Sequence, residues 1–257
     1  MQLSENTILI TGGTSGIGLE MARAFLELGN TVIITGRNEQ KLQQAQSQLD
    51  GVHTIKSDVS NPDDIQILYD EVSKNHPKLN MLINNAGMML KVNLQSHSHS
   101  AQSLVKEIDI NVKGPIWMVD KFLPLLKQNS NAAIVNVSSA LAFVPMPVSP
   151  IYSATKSALH FYTLSLREQL RNTDIKVFEL APPGTKTELL DGFSAEDMQG
   201  STAMSVAELV ADLISGLNKN KDEIRPGQSN QLKFMSRFFP QFILKMMSKS
   251  VDDMHKS

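Results

Sequence analysis

Short runs of β-branched and aliphatic residues recur along the chain, each followed by a longer stretch of helical periodicity, and this alternation restricts the fold more than any other feature. The runs are Thr7–Thr11, Thr31–Thr35, Val52–Lys56, Met81–Asn84, Ala133–Ser138, Lys176–Ala181 and a short last one near Glu223–Arg225. Helical spacing occupies roughly 17–28, 38–49, 61–75, 101–128, 152–171 and 205–218 between them. Strands written as unbroken apolar runs are buried on both faces, as in a parallel sheet covered by helices. Right-handed crossovers then predict a doubly wound α/β arrangement, seven parallel strands with helices on both faces. With 257 residues, 41% hydrophobic and 19% charged, the chain can bury one large core. No repeat, linker or low-complexity tract divides it, which predicts a single domain over 1–257 with a C-terminal extension from about 226.

A net charge of −2 gives no global reason to expect a nucleic-acid partner. The absence of cysteine excludes disulfides, cysteine metal sites and a thiol nucleophile. The opening stretch MQLSENTILITGG has no basic start and only a four-residue apolar run, unlike a secretory signal. No segment approaches the ~20 apolar residues of a membrane span. The expectation is a soluble, cytoplasmic protein.

The first run leads straight into TGGTSGIG at 11–18, with Gly12, Gly16 and Gly18 in a strand–turn–helix setting. Glycines there let the backbone approach a pyrophosphate, whose charge meets the free N–H groups of the helix start. A plain tight turn would need glycine too, but the position directly after the first run favours the nucleotide site of a Rossmann-type sheet. At the end of the second run an acidic residue would suit ribose hydroxyls, whereas an arginine suits a 2′-phosphate. The sequence places Gly36 and then Arg37 there, so NADP(H) is predicted in preference to NAD(H), which stays as the alternative. Asp58 follows the third run, placed either to accept from an adenine amino group or to cap the turn before Asn61 and Pro62. Asn84–Gly87, after the fourth run, offers either small residues for a cofactor to lie against or a plain turn.

The stretch PIYSATKSALHFY at 150–162 sets Tyr152 and Lys156 four apart on one helix face. Together, TGxxxGxG at 11–18, Asp58, Asn84–Gly87, Asn111, VNVSSA at 135–140 and YxxxK at 152–156 resemble the short-chain dehydrogenase/reductase family, over nearly the whole chain to about residue 225. The resemblance implies an oxidoreductase that moves a hydride between a nicotinamide cofactor and an alcohol or carbonyl. Tyr152 is then the general acid/base, and Lys156 lowers its pKa and binds ribose. Ser139, 13 residues before the tyrosine, holds the substrate oxygen, and Asn111 supports a proton relay through a water. The resemblance further implies cofactor contacts at Gly12, Thr14, Ser15, Gly16, Ile17, Gly18, Arg37, Asp58, Val59, Asn85, Ala86, Gly87, Pro182, Thr185 and Thr187. A free tyrosine titrates near 10, and bringing it down by ~3 units takes about 4 kcal/mol. The Lys156 ammonium and an oxidised nicotinamide are the expected sources. Ser138 would point the other way from the strand end and serve structure. Pro183 stands where the family carries glycine in PGxxxT, removing an N–H and fixing φ at about −65°. A changed substrate-side wall is expected there, with cofactor binding retained.

ALAFVPMPVSPI, between Ser139 and Tyr152, is apolar and carries three prolines, which suits a lipophilic alcohol or carbonyl. Segment 188–204 is polar and glycine-bearing, as expected of a loop that closes over substrate. His97 and His99 in SHSHS lack the further ligands of a catalytic metal, and no metal is predicted. The tail QLKFMSRFFPQFILKMMSKS has the make-up of an amphipathic interfacial helix, but Pro240 interrupts it. Packing at a subunit interface or over the substrate pocket is therefore preferred, with peripheral membrane contact as the minor alternative. The family's dimers and tetramers, built on the helices at 101–128 and 152–171, imply a homodimer or homotetramer. The competing reading is an NADP(H)-binding regulatory protein without turnover, and a methyltransferase on a similar sheet is more distant. The complete set Asn111, Ser139, Tyr152 and Lys156 argues for catalysis.

Overall fold

The computed structural model describes residues 1–96, 99–194, 197 and 203–254, the last three of these as backbone alone. Among the described residues seven strands form one sheet: β1 (Thr7–Thr11), β2 (Thr31–Gly36), β3 (His53–Lys56), β4 (Leu79–Asn84), β5 (Ala133–Val137), β6 (Lys176–Leu180) and β7 (Glu223–Ile224). Their order is β3-β2-β1-β4-β5-β6-β7, and every neighbouring pair is parallel. The predicted doubly wound parallel sheet is therefore the observed one.

Side-chain alternation along the strands explains the two helical layers. Ile8, Ile10, Val32, Ile34, Met81 and Ile83 face one core, while Leu9, Ile33 and Leu82 face the other. Both sets are apolar, so neither face of the sheet can be left to water; each buried side chain of this size contributes about 1.5–3 kcal/mol. Helices α1 (Gly16–Glu27), α2 (Glu39–Gln48) and α7 (Val206–Asn218) cover the first face through Met21, Phe25, Leu42 and Leu213. Helices α3 (Pro62–Asn75), α5 (Gly114–Leu126) and α6 (Pro150–Leu170) cover the second through Leu68, Phe122 and Leu166. The chain leaves β1 toward β2 but crosses back from β3 to β4. This reversal opens a crevice at the carboxyl ends of β1 and β4, where open α/β sheets bind ligands.

Several boundaries differ from the sequence expectation. The stretch 101–128 is not one helix but α4 (Ala101–Ile108), a π turn over Asp109–Lys113 and then α5. Within the turn the Gly114 N–H reaches back to the Asp109 carbonyl, so one extra residue is accommodated while both Ile110 and Asn111 are buried. Helix α6 starts at Pro150, two residues earlier than the spacing suggests, because proline is tolerated at a first helical position, where its missing N–H would be unpaired anyway. Beyond β7 the chain forms α8 (Ser229–Phe238), α9 (Pro240–Met247) and α10 (Lys249–Met254). Pro240 opens α9 instead of breaking a continuous helix. Among the described residues no helix is long and apolar enough to cross a membrane.

Candidate active site

A cleft of roughly 1020 Å³ runs along the carboxyl ends of the central strands. Its floor is the β1–α1 turn. Gly12 has φ +64°, and a Cβ there would stand 2.8 Å from Ala86 Cα. A Cβ on Gly18 would lie 2.2 Å from the Gly12 carbonyl oxygen and 2.6 Å from Asn85 Nδ2. Backbone thus meets backbone with no room for a side chain, which only glycine allows. Asn85 Nδ2 donates to the Thr11 and Gly12 carbonyls, both at 3.0 Å. Thr11 Oγ1 in turn accepts from the N–H groups of Asn85 and Ala86 at 3.0 and 3.1 Å. No side chain caps the start of α1, and Gly16, Ile17 and Gly18 of its first turn line the cleft. Uncapped N–H groups at a helix start suit a pyrophosphate.

At the outer end, Arg37 Nη1 lies 3.8 Å from Asp58 Oδ2, with the arginine side chain half exposed. Asp58 Oδ1 accepts from the N–H and hydroxyl of Ser60 at 2.9 and 2.7 Å. The capping role foreseen for Asp58 is therefore present, and Oδ2 remains on the arginine side. Thr35 Oγ1 and Ser57 Oγ are buried without a partner among the described residues, and both residues line the cleft. Orphaned hydroxyls in a polar recess fit a ligand rich in hydrogen-bonding groups. Lys41 lines the same end and bonds Glu188 Oε2 at 2.6 Å, joining α2 to the segment after β6. Lys41 does not stand out in the sequence, because only tertiary folding brings α2 to this rim.

At the inner end Ser139, Tyr152 and Lys156 come together, all buried. Lys156 Nζ donates to the Val137 carbonyl at 2.8 Å and sits 5.6 Å from the centre of the Tyr152 ring. Burial pushes the Tyr152 phenol above its ordinary value, a hydrogen bond with Ser139 pulls it back, and the charge of Glu107 raises it further. Burial brings the Lys156 ammonium down to about 8, against the pull of the Glu179 carboxylate. Ser139 Oγ also accepts from the Leu141 N–H at 3.1 Å. Ser138 points away, as expected, and donates to Glu179 Oε1 at 2.5 Å, while the other oxygen of Glu179 meets His160 Nδ1 at 2.7 Å.

Of the four predicted catalytic residues, Asn111 does not line the cleft, and neither does Asn84 of the stretch after β4. From its π turn, Asn111 Oδ1 accepts from the Met88 N–H at 2.9 Å, and Nδ2 donates to the Met88 carbonyl and Thr155 Oγ1 at 2.8 and 3.0 Å. Its amide therefore fixes the segment after β4. The same segment is pinned by Ser149 Oγ on the Leu90 carbonyl, 2.7 Å, and by Glu107 Oε1, which accepts from the Leu90 N–H at 2.9 Å. Glu107 Oε2 is buried and unpartnered among the described residues, and burial drives this carboxyl up to about 7 against the Leu90 bond. Neither Glu107 nor Glu179 was foreseen; on sequence spacing alone each reads as an ordinary charged residue.

Met88, Met89, Leu141, Met146, Phe193, Leu232, Met246 and Met247 form the apolar wall beyond Tyr152. The last three come from α8 and α9. Pro183 packs against Gly227, and the Gly227 Cβ position lies 3.5 Å from its Cγ. Thr185 Oγ1 donates to the Pro183 carbonyl at 2.9 Å, and Thr187 lies against Gly16. Lys91 Nζ meets the buried Asp197 at 2.6 Å over the cleft. Of the two histidines weighed as metal ligands, His97 lies outside the described residues, and His99 Nε2 sits 3.1 Å from the Lys91 carbonyl. Among the described residues no group of three or more His, Asp or Glu side chains gathers as a metal site would need.

The sequence profile of the short chain dehydrogenase family matches residues 6–197. The chain belongs to this family. It is thus an NAD(P)-dependent dehydrogenase/reductase. The uncharacterized oxidoreductase DltE of Bacillus subtilis is 42% identical to this dehydrogenase over 226 residues, 87% of the chain and 89% of the relative. The stretches GNTVIITGRNEQKL and APPGTKTEL carry a likeness to the oxidoreductase encoded with D-alanyl-lipoteichoic-acid genes in Gram-positive bacteria, and this match agrees with it. Among solved structures, a short chain dehydrogenase from Burkholderia cenocepacia in complex with NADP superposes with TM-score 0.83 at 24% identity, over 96% of this chain and 99% of the other. A short-chain dehydrogenase from Sphingobium yanoikuyae in complex with NADPH gives TM-score 0.80 at 25% identity, over 93% and 95%.

Proposed function

We propose that the chain, working as one domain over 1–257, transfers a hydride between NADP(H) and the carbonyl or alcohol carbon of a lipophilic small molecule. The observation that carries this is the meeting of Ser139 and Tyr152 where the glycine-lined cradle ends and the methionine-rich wall begins. When bound, the nicotinamide supplies the hydride in reduction and receives it in oxidation.

In reduction Tyr152 Oη gives its proton to the substrate oxygen, and in oxidation it takes that proton back. Burial favours the neutral phenol, the form required of the acid. The base role needs positive charge beside the ring. Lys156, at about 8, is mostly an ammonium at neutral pH and provides it. One of its N–H groups is held by the Val137 carbonyl, and the others would meet the ribose hydroxyls of a bound cofactor. Ser139 Oγ hydrogen-bonds the substrate oxygen as charge develops there. Both N–H groups of the Asn111 amide are committed to Met88 and Thr155. A relay water would therefore rest on the Asn111 main-chain carbonyl or on the remaining lone pair of Oδ1.

Arg37, supported by Lys41, favours the 2′-phosphate of NADP(H), and no carboxylate follows β2 directly. Solved neighbours carry either nucleotide, NADPH in the Sphingobium protein and NADH in a Brucella melitensis reductase, so the choice rests on Arg37 alone. Exposed Val105, Ile108, Ile116 and Phe161 on α4, α5 and α6 offer an apolar face for a homodimer or homotetramer. A cytoplasmic location fits a pool of reduced cofactor.

Titration of the purified protein with NADPH and NADH, read by reduced-cofactor fluorescence, tests the assignment alongside Arg37→Ala and Tyr152→Phe. NADPH should bind about tenfold tighter or more, a gap of ~1.4 kcal/mol. Arg37→Ala should narrow it, and Tyr152→Phe should keep binding while losing turnover of lipophilic carbonyls. Equal affinities refute the role of Arg37. Turnover that survives Tyr152→Phe refutes the mechanism.

A further inference from the structure

The outer surface of α8 and α9 has no role in the chemistry above. Phe234, Phe238, Phe239 and Phe242 are 57%, 58%, 53% and 59% exposed, and Leu244 joins them. The first two rings lie with their centres 4.7 Å apart. So much aromatic surface in water marks a contact site. Its charge is one-sided: along α8 and α9 the charged residues are Lys233, Arg237 and Lys245, with no Asp or Glu, and the first acidic residues beyond them are Asp252 and Asp253. Lys233 is held by Glu223 at 2.5 Å. Arg237 and Lys245 are exposed. The opposite side of the same helices is buried at Ile243 and reaches the cleft through Leu232, Met246 and Met247.

A second copy is a poor occupant. A twofold contact would set the cationic stripe against itself, and like charges facing each other oppose association. Self-association also has another apolar face, on α4, α5 and α6. A bilayer bearing anionic headgroups answers both features, since rings enter the headgroup–acyl boundary while cations meet lipid phosphates. Pro240, which on sequence alone argued against such a helix, merely opens α9 and leaves the rings of both helices outward.

We propose that α8 and α9 dock the protein peripherally on an anionic lipid surface, with Phe234, Phe238, Phe239 and Phe242 in the headgroup boundary and Arg237 and Lys245 at the phosphates. A bilayer-dissolved substrate would then be delivered beside the apolar end of the cleft. Only this last step rests on the oxidoreductase reading; the docking does not.

The test is co-sedimentation of the full chain with vesicles of phosphatidylcholine, with and without phosphatidylglycerol. Two variants accompany it, Phe234→Ser/Phe238→Ser/Phe242→Ser and Arg237→Glu/Lys245→Glu. Wild type should bind the anionic vesicles, and each variant should bind about tenfold more weakly or worse. Unchanged melting temperatures, light-scattering mass and turnover of a water-soluble carbonyl would show that only docking was lost. Failure of the wild type to bind anionic vesicles overturns the proposal, as does undiminished binding by the phenylalanine variant. A smaller assembly in that variant also overturns it, because the surface would then be a subunit interface. Vesicle binding is read without turnover, so it fails or stands separately from the catalytic assignment.

Discussion

Replacing Lys156 by methionine should cut turnover sharply and yet stabilise the fold. The side chain is buried at 3% relative exposure, and burial lowers its pKa from 10.5 to about 8. Carrying the charge in the folded state therefore costs about 3 kcal/mol at neutral pH relative to the unfolded chain. Methionine removes that cost but leaves the Val137 carbonyl without its donor, a loss of about 1–3 kcal/mol. The net expectation is a gain of about 0–2 kcal/mol, or up to about 8 °C for a chain of this size. Below pH 8 both states of the wild type hold the proton and the penalty is complete. Between about pH 8 and 10.5 the unfolded chain holds the proton and the folded chain does not, so wild-type stability climbs with pH. Thermal melts of both proteins at pH 7 and 9.5 should show the variant ahead at pH 7 and the gap narrowing at pH 9.5. A variant less stable at pH 7, or a gap that widens with pH, would refute the reasoning. Turnover should fall by about 10²–10⁴ throughout, the range for losing an acid–base partner.

Glu107→Gln should act in the opposite pH direction. Burial raises this carboxyl from 4.5 to about 7, so stability falls as pH rises through that window. Glutamine keeps an acceptor for the Leu90 N–H and should add about 2–3 kcal/mol at pH 8 but little at pH 4.5; an equal gap at both pH values contradicts the burial argument. Gly18→Ala places a methyl 2.2 Å from the Gly12 carbonyl oxygen, which should destabilise by about 1–3 kcal/mol. It should also weaken NADPH binding, and fluorescence titration showing wild-type affinity would be the contrary result.

The central strands β1, β2, β4 and β5 were legible because they are largely apolar on both faces, a pattern that a buried parallel strand needs and an amphipathic helix does not. The glycine turn and the Tyr152–Lys156 pair were legible because their chemistry depends on local spacing. What escaped depended on distance in space. The π turn at Asp109–Lys113 leaves apolar periodicity intact, so nothing in the pattern betrays the extra residue that lets Asn111 reach Met88. Glu107 and Glu179 are written like surface carboxylates, and only packing shows that one is orphaned and the other locked between Ser138 and His160. The tail showed its aromatic and basic make-up openly, but which side faced the cleft was set by how α8 and α9 fold back.

The contact between Lys41 and Glu188 bears on the timing of the catalytic cycle. Both side chains are largely in water, 44% and 60% exposed, so the pair is worth ~0.2–1 kcal/mol at most. A tie of that strength opens with ordinary thermal agitation. It can order the rim of the cleft while the nucleotide is in place without trapping the spent one. Dissolved salt weakens it further, since ions screen exposed charges over about 8–10 Å. Where nucleotide departure limits the cycle, ionic strength becomes an accelerator: the enzyme would turn over faster, and hold its nucleotide less tightly, as salt rises.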